Sequence, residues 1–102
     1  MIRLTAVRSI SKAVSTVTDM TTFGFSSDDL NGADAALLTA YSANIRYSMI
    51  GPAVVVSGGH LVEANKDRWV GGKENINALT VIAESGSPVL TITLFKATEG
   101  AL

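Results

Sequence analysis

A chain of 102 residues without cysteine is read as one domain, 1–102, large enough to bury roughly two-thirds of its unfolded surface with neither disulfides nor thiolate-bound metal. Its formal charge is −1, and its eight Lys and Arg are scattered from Arg3 to Lys96. No basic face rewards counterion release or draws a membrane surface, so neither nucleic acid nor membrane is an expected partner.

Hydrophobic residues make up 47% of the chain and charged residues 17%, with Val, Ile and Thr frequent, a mixture that suits pleated, half-buried surfaces better than long helices. The expected fold class is all-β. Met1-Ile2-Arg3-Leu4 is broken by charge at once with no signal-peptide core behind it, and apolar runs such as Pro52-Ala-Val-Val-Val56 fall far below the ~20 residues of a membrane span. The chain is therefore expected to be soluble and unprocessed.

In "IRLTAVRS", Ile2, Leu4 and Ala6 alternate with Arg3 and Thr5, which predicts a strand over 2–9. A second strand is expected in "KAVSTVTDM". Gly24, Ser26, Ser27, Asp28, Asp29, Asn31 and Gly32 then supply turn chemistry for a long loop that Phe23, Phe25 and Leu30 would pin to the core. Residues 33–41, "ADAALLTAY", fit a helix face and a strand equally. "ANIRYSMIG" alternates Ile45, Tyr47 and Met49 against Asn44, Arg46 and Ser48 and predicts a strand stopped at Gly51-Pro52.

A short apolar run, "AVVVSGGH", leads into "HLVEANKDRWVGG", whose arms around Ala64-Asn65-Lys66-Asp67 suggest a hairpin on a type I turn. "INALTVIAE" and "VLTITLFKA" around Ser85-Gly86-Ser87-Pro88 suggest another, with Leu90, Ile92 and Leu94 on one face and Thr91 and Thr93 on the other. About eight short strands at regular spacing point to an antiparallel β-sandwich or jelly-roll-like fold.

Few residues promise chemistry. On a strand, His60 and Glu63 face opposite ways, and His60 with Asp67 would give only two metal ligands where catalytic zinc takes three from the protein. "SDDLNGAD" invites a calcium test: with Gly32 at the sixth position of an EF-hand loop, Ser27 stands first, Asp29 third, Asn31 fifth and Leu38 twelfth, so two key ligands are missing. His60 is the only base for a serine nucleophile, and no G-x-S-x-G elbow appears. "GGKEN" is no phosphate loop. Trp69 and Tyr47 bring aromatic area suited to core, rim or partner, and Arg46 points outward for an inter-subunit contact. The expectation is a non-enzymatic chain with no cofactor and no metal.

"ALLTAYSANIRYSMIG" and "GGHLVEANKDRWVGGKENINALTVIAESGSPVLTITLF" resemble a family of small structural proteins encoded among the head and neck genes of tailed bacteriophages. The shared elements are an apolar strand, an "IRY" strand running into a polar turn, a "GH-L-x-A" step with a turn behind it, a strand ending near "G-x-x-x-I" and a closing hairpin of alternating apolar and Thr residues. They fall at 35–50, 60–64, 67–76 and 79–95.

The resemblance implies a virion subunit, made in the bacterial host cytoplasm, that decorates the capsid (a cement protein) or joins head and neck without catalysis. Its implied partners are copies of itself and a major capsid, connector, neck or tail protein. It also implies a strand over 35–42. Where a polar Asp-Gly-type loop is expected, the chain carries the apolar Met49–Val56, so Val54, Val55 and Val56 join Arg46, Tyr47 and Trp69 as candidate interface residues. Residues 1–34 lie outside the match and are the expected place for an N-terminal assembly arm. The alternative is a carbohydrate- or receptor-binding sandwich using Trp69 and Tyr47; a cupin-like enzyme is the weakest reading, since such sites gather several histidines.

Overall fold

The computed structural model describes residues 2–50 and 58–99. Among the described residues, eight strands form two antiparallel four-stranded sheets. The long sheet runs in the order β1 (Ile2–Ala13), β8 (Val89–Glu99), β3 (Ala35–Tyr41), β6 (Asp67–Gly71). The short sheet runs β2 (Thr18–Asp19), β7 (Thr80–Ala83), β4 (Ile45–Ser48), β5 (His60–Val62). The all-β sandwich expected from composition is the fold.

Alternation sets the inner faces. Leu90, Ile92 and Leu94 of β8 are fully buried, as are Ala36, Leu38 and Ala40 of β3, whereas Ala35, Leu37 and Thr39 keep partial exposure. Ala and Leu favour helix locally, but pairing with β8 on one side and β6 on the other overrides that preference in residues 35–41. Ile45, Tyr47, Val62, Val81 and Ala83 face them from the short sheet. Every buried residue in the described chain is apolar apart from the Tyr47 hydroxyl, and no buried side-chain polar atom lacks a partner.

The loop over 21–34 contains two helical turns, α1 (Met20–Phe23) and α2 (Ser27–Asn31), instead of irregular chain. Each begins with a readable cap. The Asp19 carboxylate accepts from the Thr22 N–H at 2.7 Å, and Ser26 and Asp29 bond each other's backbone N–H groups reciprocally. Phe23, Phe25 and Leu30 are buried, as their place in the sequence suggested, with the two Phe rings stacked at 5.9 Å. A third turn, α3 (Lys73–Asn77), occupies the start of the stretch expected to be a strand from residue 76, and it sends Ile76 into the core.

Both expected hairpins are crossings between the sheets. β5 belongs to the short sheet and β6 to the long one, and β7 and β8 are divided in the same way. A period of two with turn residues between shows that the chain reverses, but not whether it reverses within a layer or across to the next. At the first crossing Lys66 N–H closes a turn on Glu63 C=O at 3.0 Å, with Asn65 in the left-handed region (φ 62°) that Asn tolerates. Asn65 N–H donates to Ala40 C=O and Ala64 N–H to the Asn44 side chain, which ties the crossing to both layers. Arg68 Nε then reaches Leu61 C=O at 3.3 Å, joining the two edge strands.

The second expected strand, in 12–20, is reduced to Thr18–Asp19, and β1 runs on past its expected end at residue 9 as a twelve-residue strand. It pairs with β8 throughout but carries a bulge at Val7: Ala6 stands opposite Phe95, and Arg8 opposite Leu94. Because β3 reaches β8 only as far as Phe95, the pairing of Ile2–Thr5 with Lys96–Glu99 continues as a two-stranded ribbon beyond the body. This ribbon contributes to a longest dimension of 45 Å. Asp34 supports its base, donating its N–H to Phe95 C=O and accepting from Ala97 N–H on its carboxylate.

Candidate interaction surface

Directly opposed residues of antiparallel strands share a face, so the register fixes which side chains lie on the outside of the long sheet. One row reads Ala6, Phe95, Ala35, Gly71; the next reads Ser9, Thr93, Leu37, Trp69; a third reads Ser11, Thr91, Thr39, Asp67. Toward the ribbon tip the same face continues through Leu4 with Ala97 to Ile2. Before the bulge it is the even-numbered residues of β1 that face out, after it the odd ones.

Ile2 is 70% exposed, Leu4 46% and Trp69 54%, while Leu37 and Phe95 are half-buried beside them. The Trp69 indole leans on Phe95 with ring centroids 5.2 Å apart and planes tilted by 47°. Hydroxyl pairs fill the middle of the face, Ser9 with Thr93 at 2.9 Å and Ser11 with Thr91 at 2.7 Å. Asp67 is the one charged residue among the described side chains of this face, and it accepts from the Thr39 hydroxyl at 2.7 Å. The cations of β1 and β8, Arg3, Arg8, Lys12 and Lys96, all fall on the opposite side of their strands.

The residues singled out in the sequence are not gathered together. Trp69 is on this exposed face, but Arg46 and Tyr47 belong to the short sheet. Tyr47 is buried in the core with its ring 5.2 Å from that of His60. Arg46 faces outward between Leu61 and Ile82 and is bound to Glu84. Val54, Val55 and Val56, with Gly51-Pro52, lie outside the described residues. His60 and Asp67 stand on different sheets, so they do not meet across a hairpin turn. Asp29 is engaged by the Ser26 backbone and lies 3.9 Å from Arg8, so this carboxylate closes a helix cap. Among the described residues there is neither a metal-holding cluster of His, Asp or Glu nor a pocket.

The polar network of the short sheet is an anchor. The Arg46 guanidinium, at 2.8 Å from Glu84, is the main reason that carboxyl is held below its ordinary range; the Asn44 amide adds to the effect at 3.2 Å. Asp19 is lowered chiefly by the Thr22 backbone N–H and Asp29 by that of Ser26.

Comparison with family models, curated proteins and solved structures finds no match. The surface must therefore be interpreted from its own chemistry.

The three carboxylates make acid sensitivity predictable. Each has a folded pKa below its unfolded one, so its contribution to stability is present above the ordinary carboxylate range and lost as pH falls through the lower folded value. The urea midpoint is expected to be flat from about pH 7 to 5 and to fall below about pH 4. Glu84→Gln should lower the neutral-pH midpoint and make the acid fall shallower, which urea titrations at stepped pH will measure.

Proposed function

We propose that this chain is a non-enzymatic structural subunit of a tailed-phage virion, a capsid decoration (cement) or head–neck component working through repeated protein–protein contacts. The observation that carries the reading is the uncharged stripe of Ile2, Leu4, Phe95, Leu37 and Trp69 on the outer face of the long sheet. Apolar and hydroxyl groups are stripped of water at small cost, whereas charges are not, so such a face suits close packing against another protein. Repetition on a particle turns modest contacts into durable attachment.

The stretch that resembles phage structural proteins supplies β3 to β8, and with them three of the four strands of this sheet. A sugar-binding reading is less well supported. The 47° tilt between Trp69 and Phe95 makes a corrugated surface that suits interdigitating side chains better than a coplanar sugar platform.

Particles assembled from the accompanying head genes, with the gene for this chain removed, provide the test. Purified protein added back is expected to pellet with them and to saturate at a fixed number of copies per particle. Folded protein that stays in the supernatant at saturating concentration overturns the reading.

A further inference from the structure

The ribbon formed by Ile2–Thr5 and Lys96–Glu99 is amphipathic where no other described strand pairs with it. One side presents Ile2, Leu4 and Ala97; the other presents Arg3, Thr5, Lys96 and Thr98. The apolar side runs without a break into Phe95, Leu37 and Trp69 on the body, and two isolated strands have little stability of their own in water.

We propose that this face is the contact between two copies of the chain, packed sheet against sheet with one apolar stripe crossing the other. The inference deepens the structural-subunit reading and rests on it. Three features select a second copy as the occupant. A two-fold axis sets a face against itself, so charges of one sign on it repel; among the described side chains this face holds only Asp67, already bound to Thr39, while all four cations of β1 and β8 point the other way.

The face also extends along β8, about 36 Å at the usual strand rise, and a second identical sheet has the length to cover it. Finally, the four strands present roughly 550 Å² in plan at normal strand spacing. Corrugation by side chains raises the accessible area above that figure, toward the about 800 Å² that each partner buries in a stable complex. Small residues at Ala6, Ala35 and Ala97 stand between large ones at Leu4, Phe95 and Trp69, leaving hollows for the partner's side chains.

Sedimentation equilibrium of the full chain tests this. The wild type is expected to be a dimer. Trp69→Lys is expected to weaken the dimer about 30-fold or more and Leu4→Lys about tenfold, both with a native circular dichroism spectrum. Leu61→Lys, on the outward face of the short sheet, should leave the dissociation constant unchanged. A wild type that stays monomeric at the highest attainable concentration, or a dimer indifferent to Trp69→Lys and Leu4→Lys, overturns the proposal.

Pelleting the same proteins with particles separates the two readings. A monomer that saturates particles, and loses them on Trp69→Lys, overturns self-association while the structural-subunit reading stands. A Trp69-dependent dimer that never binds particles supports the contact and overturns the virion role.

Discussion

Phe23→Ala is expected to destabilise the protein by about 3–5 kcal/mol, read as a lower urea midpoint with an unchanged slope. The ring is completely buried and stacks on Phe25. Its removal also loosens α1, whose four residues are too few to hold a helix alone and are kept in place by Phe23 and Met20. That turn ends at Gly24, in a left-handed conformation (φ 128°), where an added Cβ would lie 3.1 Å from Ile10 Cδ1. The helical turn and β1 are thus fitted together at one glycine. A domain of this size has about 5–15 kcal/mol to lose, so the substitution should remove a third or more of it. Phe23→Leu, which leaves a smaller void, should lose distinctly less.

Two truncations are expected to behave in opposite ways. Removing residues 1–13 takes away the whole partner of β8 on one side and leaves that central strand as a bare edge beside Leu90, Ile92 and Leu94. The product should be insoluble or lack cooperative melting, because an exposed, apolar-backed edge pairs with other chains. Removing only residues 1–5 takes the ribbon tip, whose side chains are exposed on both faces. Its unfolding free energy should stay within about 0.5 kcal/mol of the parent, while self-association weakens with the loss of Ile2 and Leu4. Solubility, thermal melts and sedimentation of the pair distinguish the strand's role in folding from its role in assembly. Equal behaviour of the two would sink that division.

How much of this was legible follows the range over which each signal acts. The alternation of Leu90, Ile92 and Leu94 with Thr91 and Thr93 is local, and it reports the inner face of β8 correctly. Phe23, Phe25 and Leu30 stand out as apolar residues in a polar loop, and all three reach the core. The helical turns were missed because a four- or five-residue helix leaves almost no periodicity, although Ser26 and Asp29 carry the spacing of a capping box. The pairing of strands was misread where the chain crosses between layers, at 63–66 and 84–88, since Val62 and Val70 point into the same core whether or not their strands are neighbours.

Of the candidate interface, Trp69 was legible and the rest of its face was not. Ile2, Leu4 and Ala6 show as one side of a strand, but nothing local tells that this side looks away from the core. The available signal was Phe95: in "LTITLF" it stands where the alternation calls for another Thr, so a large ring occupies the outward series. Tyr47 went inward because "IRY" continues the buried series of Ile45, and Arg46 found its counter-charge within its own chain in Glu84.

The extra residue at Val7 has a further consequence for how the outer surface is encoded. Ile10, wedged at Gly24, fixes the orientation of everything after it, and the bulge between it and the tip decides which set of tip side chains looks outward. Paired without the bulge, the same letters would display Arg3 and Thr5 in place of Ile2 and Leu4, and a greasy strip would become a cationic one. This single irregularity in the pairing therefore specifies the surface as firmly as composition does.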